Sequence, residues 1–394
     1  MKIVFLCGCL EPGRDGVGDY TRRLAGEVIR QGNQASIIAL NDPHVQDGVD
    51  KDKTELGRNG FDLQTSDGTQ VRALRLSRGS TWSDRMQLAK QFIDSHNPDW
   101  MSLQFVPYSF HPKGLPFTLP GRLTTIGKGR KWHVMFHELC LGLEVGSTPK
   151  DRIIGRLQKV IIVRVLGKIR VSLTHSQCAP YVHVLNQWGV PATQLRLFSN
   201  LPVFSATEAN LLYKLRGDLP ARDQMLLCGV FGAVHAAWPA EKSLLELEKS
   251  ASQQNKKAVF LFIGNSHLSE ESISKLKERF RSRVEIVASG HRSESEISGL
   301  LKSLDLGFAA SPWDLIDKSA SASTMREHGV PIVVSRDDWK LRGGSALKVY
   351  HDGIYRTVEK ALTESNGVYT SPSLGYIALQ FLEDLKNSKV LLPS

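Results

Sequence analysis

The chain has 394 residues, with 50 Lys plus Arg against 40 Asp plus Glu, so its formal net charge is +10. Domains usually run roughly 100–200 residues, so this length predicts two of them. Hydrophobic residues at 41% and charged residues at 23% exclude wholesale disorder, and the modest positive surplus points to an anionic partner without naming one.

The opening MKIVFLCGCLEPG runs from a short apolar stretch straight into a Gly-rich loop, and it reads as a buried first strand rather than a secretory leader. No uninterrupted apolar stretch of about 20 residues exists, so no spanning helix is expected. The cysteines Cys7, Cys9, Cys140, Cys178 and Cys228 are scattered. Cys7 and Cys9 would share a strand face, but no Cys/His pair stands nearby at zinc spacing. They read as small buried hydrophobes, and a reducing cytoplasm fits best.

In chain order, KIVFLCGCL predicts a strand, EPGRDGVG a loop, DYTRRLAGEVIRQG a helix and QASIIAL a second strand. This is the start of a doubly wound α/β unit. Residues 41–80 are polar, with a weak strand signal in VRALRL. LAKQFIDSHN predicts a helix and DWMSLQFV a strand; Pro107 to Pro120 reads as a long loop. Then come strand WHVMFHEL, helix 151–168, strand RVSLTHS, helix PYVHVLNQWG and a last strand and loop, LRLFSNLP.

A second series starts near Met225. Strands QMLLCGVFG, KAVFLFIGN, RVEIVAS, LGFAAS and VPIVVS alternate with helices KSLLELEKSAS, SEESISKLKERF, SESEISGLLKSL and SASASTMREHG. The amphipathic SPSLGYIALQFLEDLKNS follows. The expected division is 1–204, 205–372 and a final helix in 373–394.

Several strand ends carry chemistry. Gly13, Gly16 and Gly18 lie between the first strand and helix, where glycine lets backbone approach a ligand and the helix start offers N–H groups to an anion. The spacing is not G-x-G-x-x-G, and no acidic residue closes the next strand as a ribose ligand would; Asn41 and Asp42 come nearest. The alternative is a tight strand-to-helix turn without a ligand. His137 and Glu138 end one strand, and His175 and Ser176 another. In SPWDLIDKSASASTMREHGVPIVVS, Asp314, Asp317 and Lys318 precede Ser319, Ser321 and Ser323 at a helix start. This is either an anion pocket or an ordinary Ser-capped helix. Helix 151–168 carries Arg152, Arg156, Lys159, Arg164 and Lys168 near one stripe, which suits an anionic membrane surface or a plain solvated face. Basic residues are not interleaved with aromatics, so no nucleic-acid partner is expected.

Together these pieces resemble the GT-B glycosyltransferases, in particular the family-four (glycosyl transferases group 1) type. GVGDYTRRLA at 16–25 resembles that family's glycine loop and first helix, PDWMSLQFVPY its P-D-hydrophobic-Q strand, and VMFHEL its strand ending in histidine. LTHS and LFSN resemble its paired strand ends. FLFIGN, VEIVASGHRSESEISGLLKSLDLGFAAS and MREHGVPIVVS match the second half, so the resemblance covers nearly the whole chain.

The resemblance implies two Rossmann-like doubly wound domains facing a central cleft, with the acceptor bound mainly by the first, the nucleotide sugar mainly by the second, and the last helix crossing back. It puts Gly16 and Gly18 near the donor diphosphate or acceptor, His137 on the sugar, and Gly290 and His291 near the nucleobase. Lys318, Ser319, Ser321 and Ser323 would hold the diphosphate. Gly232, His235 and Lys242 join the donor set, the last two standing at altered spacing for the family's Arg and Lys. The family's two glutamates fall on Leu315 and Ser323; Asp314 and Asp317 flank the first and, with His137, make the candidate catalytic set.

The implied activity is sugar transfer from a UDP- or GDP-sugar to a glycan, lipid-linked or other acceptor, as in polysaccharide biosynthesis. No Asp-x-Asp motif sits at a strand end, so transfer without metal or further cofactor is expected, in the cytoplasm or peripherally at a membrane. The rivals are an inactive sugar-binding or assembly protein of this fold, an NAD-dependent oxidoreductase, and a non-hydrolysing sugar-nucleotide epimerase.

Overall fold

The computed structural model describes residues 1–45, 61–205, 211–344, 352–365 and 373–388. Parts of the polar 41–80 stretch (46–60), of the linker (206–210) and of the predicted last helix (389–394) lie outside these residues. The chain divides into two units. One holds Met1–Arg196, Leu341–Gly343 and the chain from Leu374 on; the other holds Leu197–Lys340 and the chain between Gly344 and Ser373.

The first unit is built on strands β1 (Lys2–Cys7), β2 (Gln34–Asp42), β3 (Phe61–Ser66), β4 (Thr69–Ser77), β5 (Trp100–Phe105), β6 (Lys131–Phe136), β7 (Leu173–Ser176) and β8 (Thr193–Gln194). Their order is β3-β4-β2-β1-β5-β6-β7-β8. All neighbours are parallel except the β3–β4 hairpin, closed by Asp67 and Gly68, both at positive φ. Strand order reverses between β1 and β5, which makes a switch point at their carboxyl ends.

Two expectations need correction here. The Pro107–Pro120 stretch is not all loop: Pro107–Phe110 is a short helix, and Leu119–Ile126 begins another. Proline in the first turn pre-sets φ and forgoes an N–H that would be unpaired anyway. The last strand is only Thr193–Gln194, and LRLFSN runs on as irregular chain.

The second unit holds β9 (Met225–Phe231), β10 (Lys257–Ile263), β11 (Val284–Ala288), β12 (Leu306–Ala309), β13 (Ile332–Val334) and β14 (Ile354–Tyr355), in the order β11-β10-β9-β12-β13-β14. Every pair is parallel, and order reverses between β9 and β12. Such strands are buried on both faces, which explains their unbroken apolar runs. Val259, Leu261 and Ile263 of β10 enter one core cluster, while Phe260 and Phe262 enter the other.

Helix Leu374–Asn387 belongs to the first unit. It buries Leu374, Ile377, Ala378, Phe381, Leu382 and Leu385, a stripe at helical spacing. Phe381 lies 5.9 Å from the Phe5 ring and 5.0 Å from the His133 ring. None of the five cysteines is in a disulfide. Burial pushes the Cys7 thiol well above its ordinary value and Cys9 up to about 12. Among the described residues, no helix is long and apolar enough to cross a membrane.

Candidate functional site

In the second unit, the carboxyl ends of β9, β12 and β13 gather most of the predicted donor residues. Gly232 follows β9 at φ +72, a conformation open to glycine, and a Cβ there would lie 3.2 Å from Ser321 Oγ. The loop after β9 thus approaches the start of helix Ala320–Glu327. Ser319 caps that helix, its Oγ accepting from the Ala322 N–H at 3.3 Å. Ser323 is buried one turn on. Lys318 ends the 3-10 turn Trp313–Lys318 directly before the cap. The N–H groups of Ala320 and Ser321 have no intrahelical partner, as in any first turn.

The other predicted residues are spread around this edge. Asp314 meets Lys340 Nζ at 3.7 Å, and Asp317 lies on the same 3-10 turn. Gly290, at φ +64, and His291 follow β11, an edge strand two places from β9. Ser289 Oγ joins them to the end of β10, accepting from the Gly264 N–H and donating to Gly290 O, both at 3.0 Å. His235 and Lys242 line a cavity of about 740 Å³ with Trp238, Leu268, Lys275 and Arg279. Neither Lys318 nor the serines border it, so the structure divides the donor set in two.

Sequence reasoning missed Arg336. It is buried just past β13; its Nη1 donates to Ala310 O at 2.8 Å, and its Nε and Nη2 clasp Asp338 at 2.9 and 2.6 Å. It therefore pins the loop after β12 to the loop after β13. Those bonds hold the Asp338 carboxyl below its usual range, with a smaller electrostatic contribution from His235. The one sequence signal was a charge directly after the apolar VPIVVS.

In the first unit, the glycine loop is tied from within. Asp15 accepts from the N–H groups of Val17 at 2.9 Å and Gly18 at 2.8 Å. Burial raises its carboxyl above the ordinary value, and those bonds offset this only in part. An anion brought to this helix start meets the Asp15 carboxylate already there. Gly16 has open space around its Cβ position, whereas a Cβ on Gly18 would stand 2.5 Å from the Cys9 carbonyl oxygen. Gly18→Ala should therefore cost about 1–3 kcal/mol of stability. Denaturant unfolding checks this, and an unchanged midpoint would refute the close approach.

Asp42, nearest in sequence to a ribose ligand, is buried at the end of β2 and accepts from Arg75 Nε at 2.8 Å and the Leu10 and His44 N–H groups at 3.0 Å. Burial would raise this carboxyl, but Arg75 and the two N–H groups hold it below its ordinary value. Arg75 also reaches Glu11 at 2.5 Å. This carboxylate is committed to the protein itself.

His137 stands one residue beyond β6, buried, with its ring edge-on to Tyr20 at 4.8 Å. Both ring nitrogens have partners: Nε2 lies 2.9 Å from Gln104 Oε1, and Nδ1 lies 3.0 Å from Gln177 Nε2. A histidine held in this way offers a fixed surface more than a mobile proton. Gln104 and Gln177 were also missed.

No family model and no curated protein matches the chain. Solved structures do. Sucrose-phosphate synthase of Thermosynechococcus elongatus aligns at TM-score 0.57 and 12% identity over 98% of both chains. The HepE protein of Anabaena, in complex with UDP and glucose, aligns at TM-score 0.55 and 14% identity over 98% of this chain and 100% of that one. UDP-GlcNAc 2-epimerase of Neisseria meningitidis, bound to UDP-GlcNAc, aligns at TM-score 0.55 and 9% identity with the same coverage. The chain has the GT-B fold. At these identities the likeness is one of fold.

Within the GT-B fold, the carboxyl ends of the strands beside each switch point are where ligands bind in open α/β sheets. In the first sheet the glycine loop lies at such an end, after β1, with His137 two strands over, after β6; in the second, Gly232, Lys318 and the serines lie there, after β9 and β12. Among the described residues, no three His, Cys, Asp or Glu side chains are grouped to hold a metal ion.

Proposed function

We propose that this GT-B chain is a glycosyltransferase that takes a sugar from a UDP- or GDP-sugar and passes it to a glycan or lipid-linked acceptor. The observation that carries the proposal is the meeting of Gly232, Lys318, Ser319 and Ser321 at the start of helix Ala320–Glu327. Transfer leaves a nucleoside diphosphate whose charge grows in the transition state. Lys318, the Ser321 hydroxyl and the Ala320 and Ser321 N–H groups would stabilise it as it departs, without need of a metal. Asp314 and Asp317 stand on the turn leading into this cradle, and His137 would bear on the sugar. Proteins of this fold that hold UDP with glucose, or UDP-GlcNAc, support the ligand class.

The test is thermal unfolding with UDP, GDP and their sugars. Ligand at 100 times Kd stabilises by about 2.7 kcal/mol, so a matching nucleotide should raise Tm by several degrees. A flat response to all of them would sink the proposal. One observation favours a second reading, a nucleotide-sugar-binding protein without transfer: Leu315 and the buried Ser323 stand where the resemblance puts two glutamates. Binding with neither hydrolysis nor transfer of the sugar would select it.

The acceptor side carries a further proposal. Helix Pro149–Ile169 turns Gly155, Gln158, Ile161, Ile162, Val165, Leu166 and Ile169 inward. Outward it exposes Ile153 at 59% and Val160 at 49%, among the exposed Arg152, Arg156, Lys159, Arg164 and Lys168. Apolar side chains flanked by cations are the pattern of a helix lying on an anionic membrane. A lipid-linked acceptor would be met there.

A further inference from the structure

One face of the first sheet carries polar side chains that the donor cradle does not use. Register pairs Ser102 with His133, and Gln104 and His175 both with Met135. Ser102, Gln104, His133 and His175 therefore share that face, and with His137 all are buried. They form one chain of contacts. From Gln177 Nε2 it is 3.0 Å to His137 Nδ1, and from His137 Nε2 2.9 Å to Gln104 Oε1. Gln104 Nε2 donates to Ser102 Oγ at 2.8 Å, and Ser102 Oγ lies 2.8 Å from His133 Nδ1. His133 Nε2 is 3.2 Å from His175 Nδ1. His175 Nε2 makes no aligned hydrogen bond, and the acceptor it meets is Asp384 Oδ2 at 3.3 Å, on helix Leu374–Asn387.

The protons along this chain run one way. An amide nitrogen only donates and a carboxylate only accepts. The Gln177 amide donates to His137 Nδ1, so the His137 proton sits on Nε2 and goes to Gln104 Oε1. Gln104 donates to Ser102, whose hydroxyl could accept from His133 Nδ1 or donate to it; with the Asp384 carboxylate at the far end keeping the His175 proton on Nε2, it donates. Burial, with His175 and His137 nearby, holds His133 well below the ordinary histidine value, so it is neutral and its proton is on Nε2. That proton goes to His175 Nδ1, which leaves the His175 proton on Nε2, 3.3 Å from Asp384 Oδ2 but out of line for a hydrogen bond, so the carboxylate holds it there by charge.

We propose that Asp384 is a positioning residue: as the accepting end of this chain it sets the direction of every hydrogen bond in it and so keeps the His137 proton on Nε2. With that end removed, the chain can run backwards. Both glutamine amides turn over, and the His137 proton moves to Nδ1. The functional consequence rests on the reading that His137 bears on the sugar; the proton arrangement does not.

The experiment is nitrogen NMR of the full chain labelled only at histidine, with His137 identified by the loss of its signals in His137→Gln. In the parent protein the unprotonated ring nitrogen of His137 should be Nδ1. Asp384→Ala should shift part or all of the population to the form unprotonated at Nε2, and Asp384→Asn, which keeps an accepting oxygen, should restore the parent pattern. The Asp384 side chain is 34% exposed, so its removal should leave the fold intact. A parent protein with the proton on Nδ1, or an Asp384→Ala spectrum identical to the parent, overturns the proposal. If the proton moves while sugar transfer is unchanged, the chain stands and the contact of His137 with the sugar falls.

Discussion

Lys318→Ala should lower sugar transfer by roughly 10²- to 10³-fold. Removing one preorganised donor to a developing anion typically costs that much in kcat. Lys318 lies where the 3-10 turn ends and the Ser319-capped helix begins, so in the proposed cradle its charge would act on the same oxygens as the helix N–H groups. Ser319→Ala is the contrasting variant. It removes a cap worth about 1 kcal/mol and should show mainly as lost stability. UDP or GDP affinity should fall in Lys318→Ala and survive in Lys318→Arg. Full turnover in Lys318→Ala would remove the phosphate role from this edge of the sheet and shift attention to the cavity lined by His235, Lys242, Lys275 and Arg279.

Reversing Arg156, Lys159 and Arg164 to glutamate should abolish sedimentation with vesicles rich in anionic lipid. Each basic side chain near such a surface contributes about 1 kcal/mol, so loss of three attractions alone is worth roughly 10²-fold in binding, and three repulsions add to it. All three side chains are exposed on helix Pro149–Ile169; Lys159 also lies 5.0 Å over the Trp188 ring, a contact whose loss costs about 0.5–1 kcal/mol, which the fold should survive. The attraction should weaken in salt, since the screening length is about 10 Å at 0.1 M. Ile153→Ser with Val160→Ser should weaken binding to the same vesicles with little change in salt dependence, because it removes apolar burial only. Parent protein that ignores anionic vesicles, or a triple variant that binds like the parent, would refute the membrane face.

The two-sheet architecture was legible because a parallel sheet buried on both faces needs continuous apolar strands. KIVFLC and KAVFLFI can hardly be anything else. The serine-rich helix start and its lysine were legible too, since capping is a local matter. What sequence could not carry was register. Ser102, Gln104, His133 and His175 form one connected line only when β5, β6 and β7 align as they do, and single polar residues in apolar strands gave no hint of it. The same holds for Arg336, whose partners lie two residues and 26 residues away. The glycine loop resembled an anion site, but Asp15 fills its N–H groups through a short-range cap that the Gly pattern drew attention away from.

The helix Leu374–Asn387 closes the first sheet although more than a hundred residues of the second unit precede it in the chain. During synthesis, then, the unit that begins first is completed last. Until Phe381 reaches the ribosome exit, the face around Phe5 and His133 stands uncovered while the second unit already has the segments of its own sheet. A stalled or truncated chain lacking this helix would expose its fault at the opposite end of the sequence, as a loosened N-terminal sheet beside an intact second one.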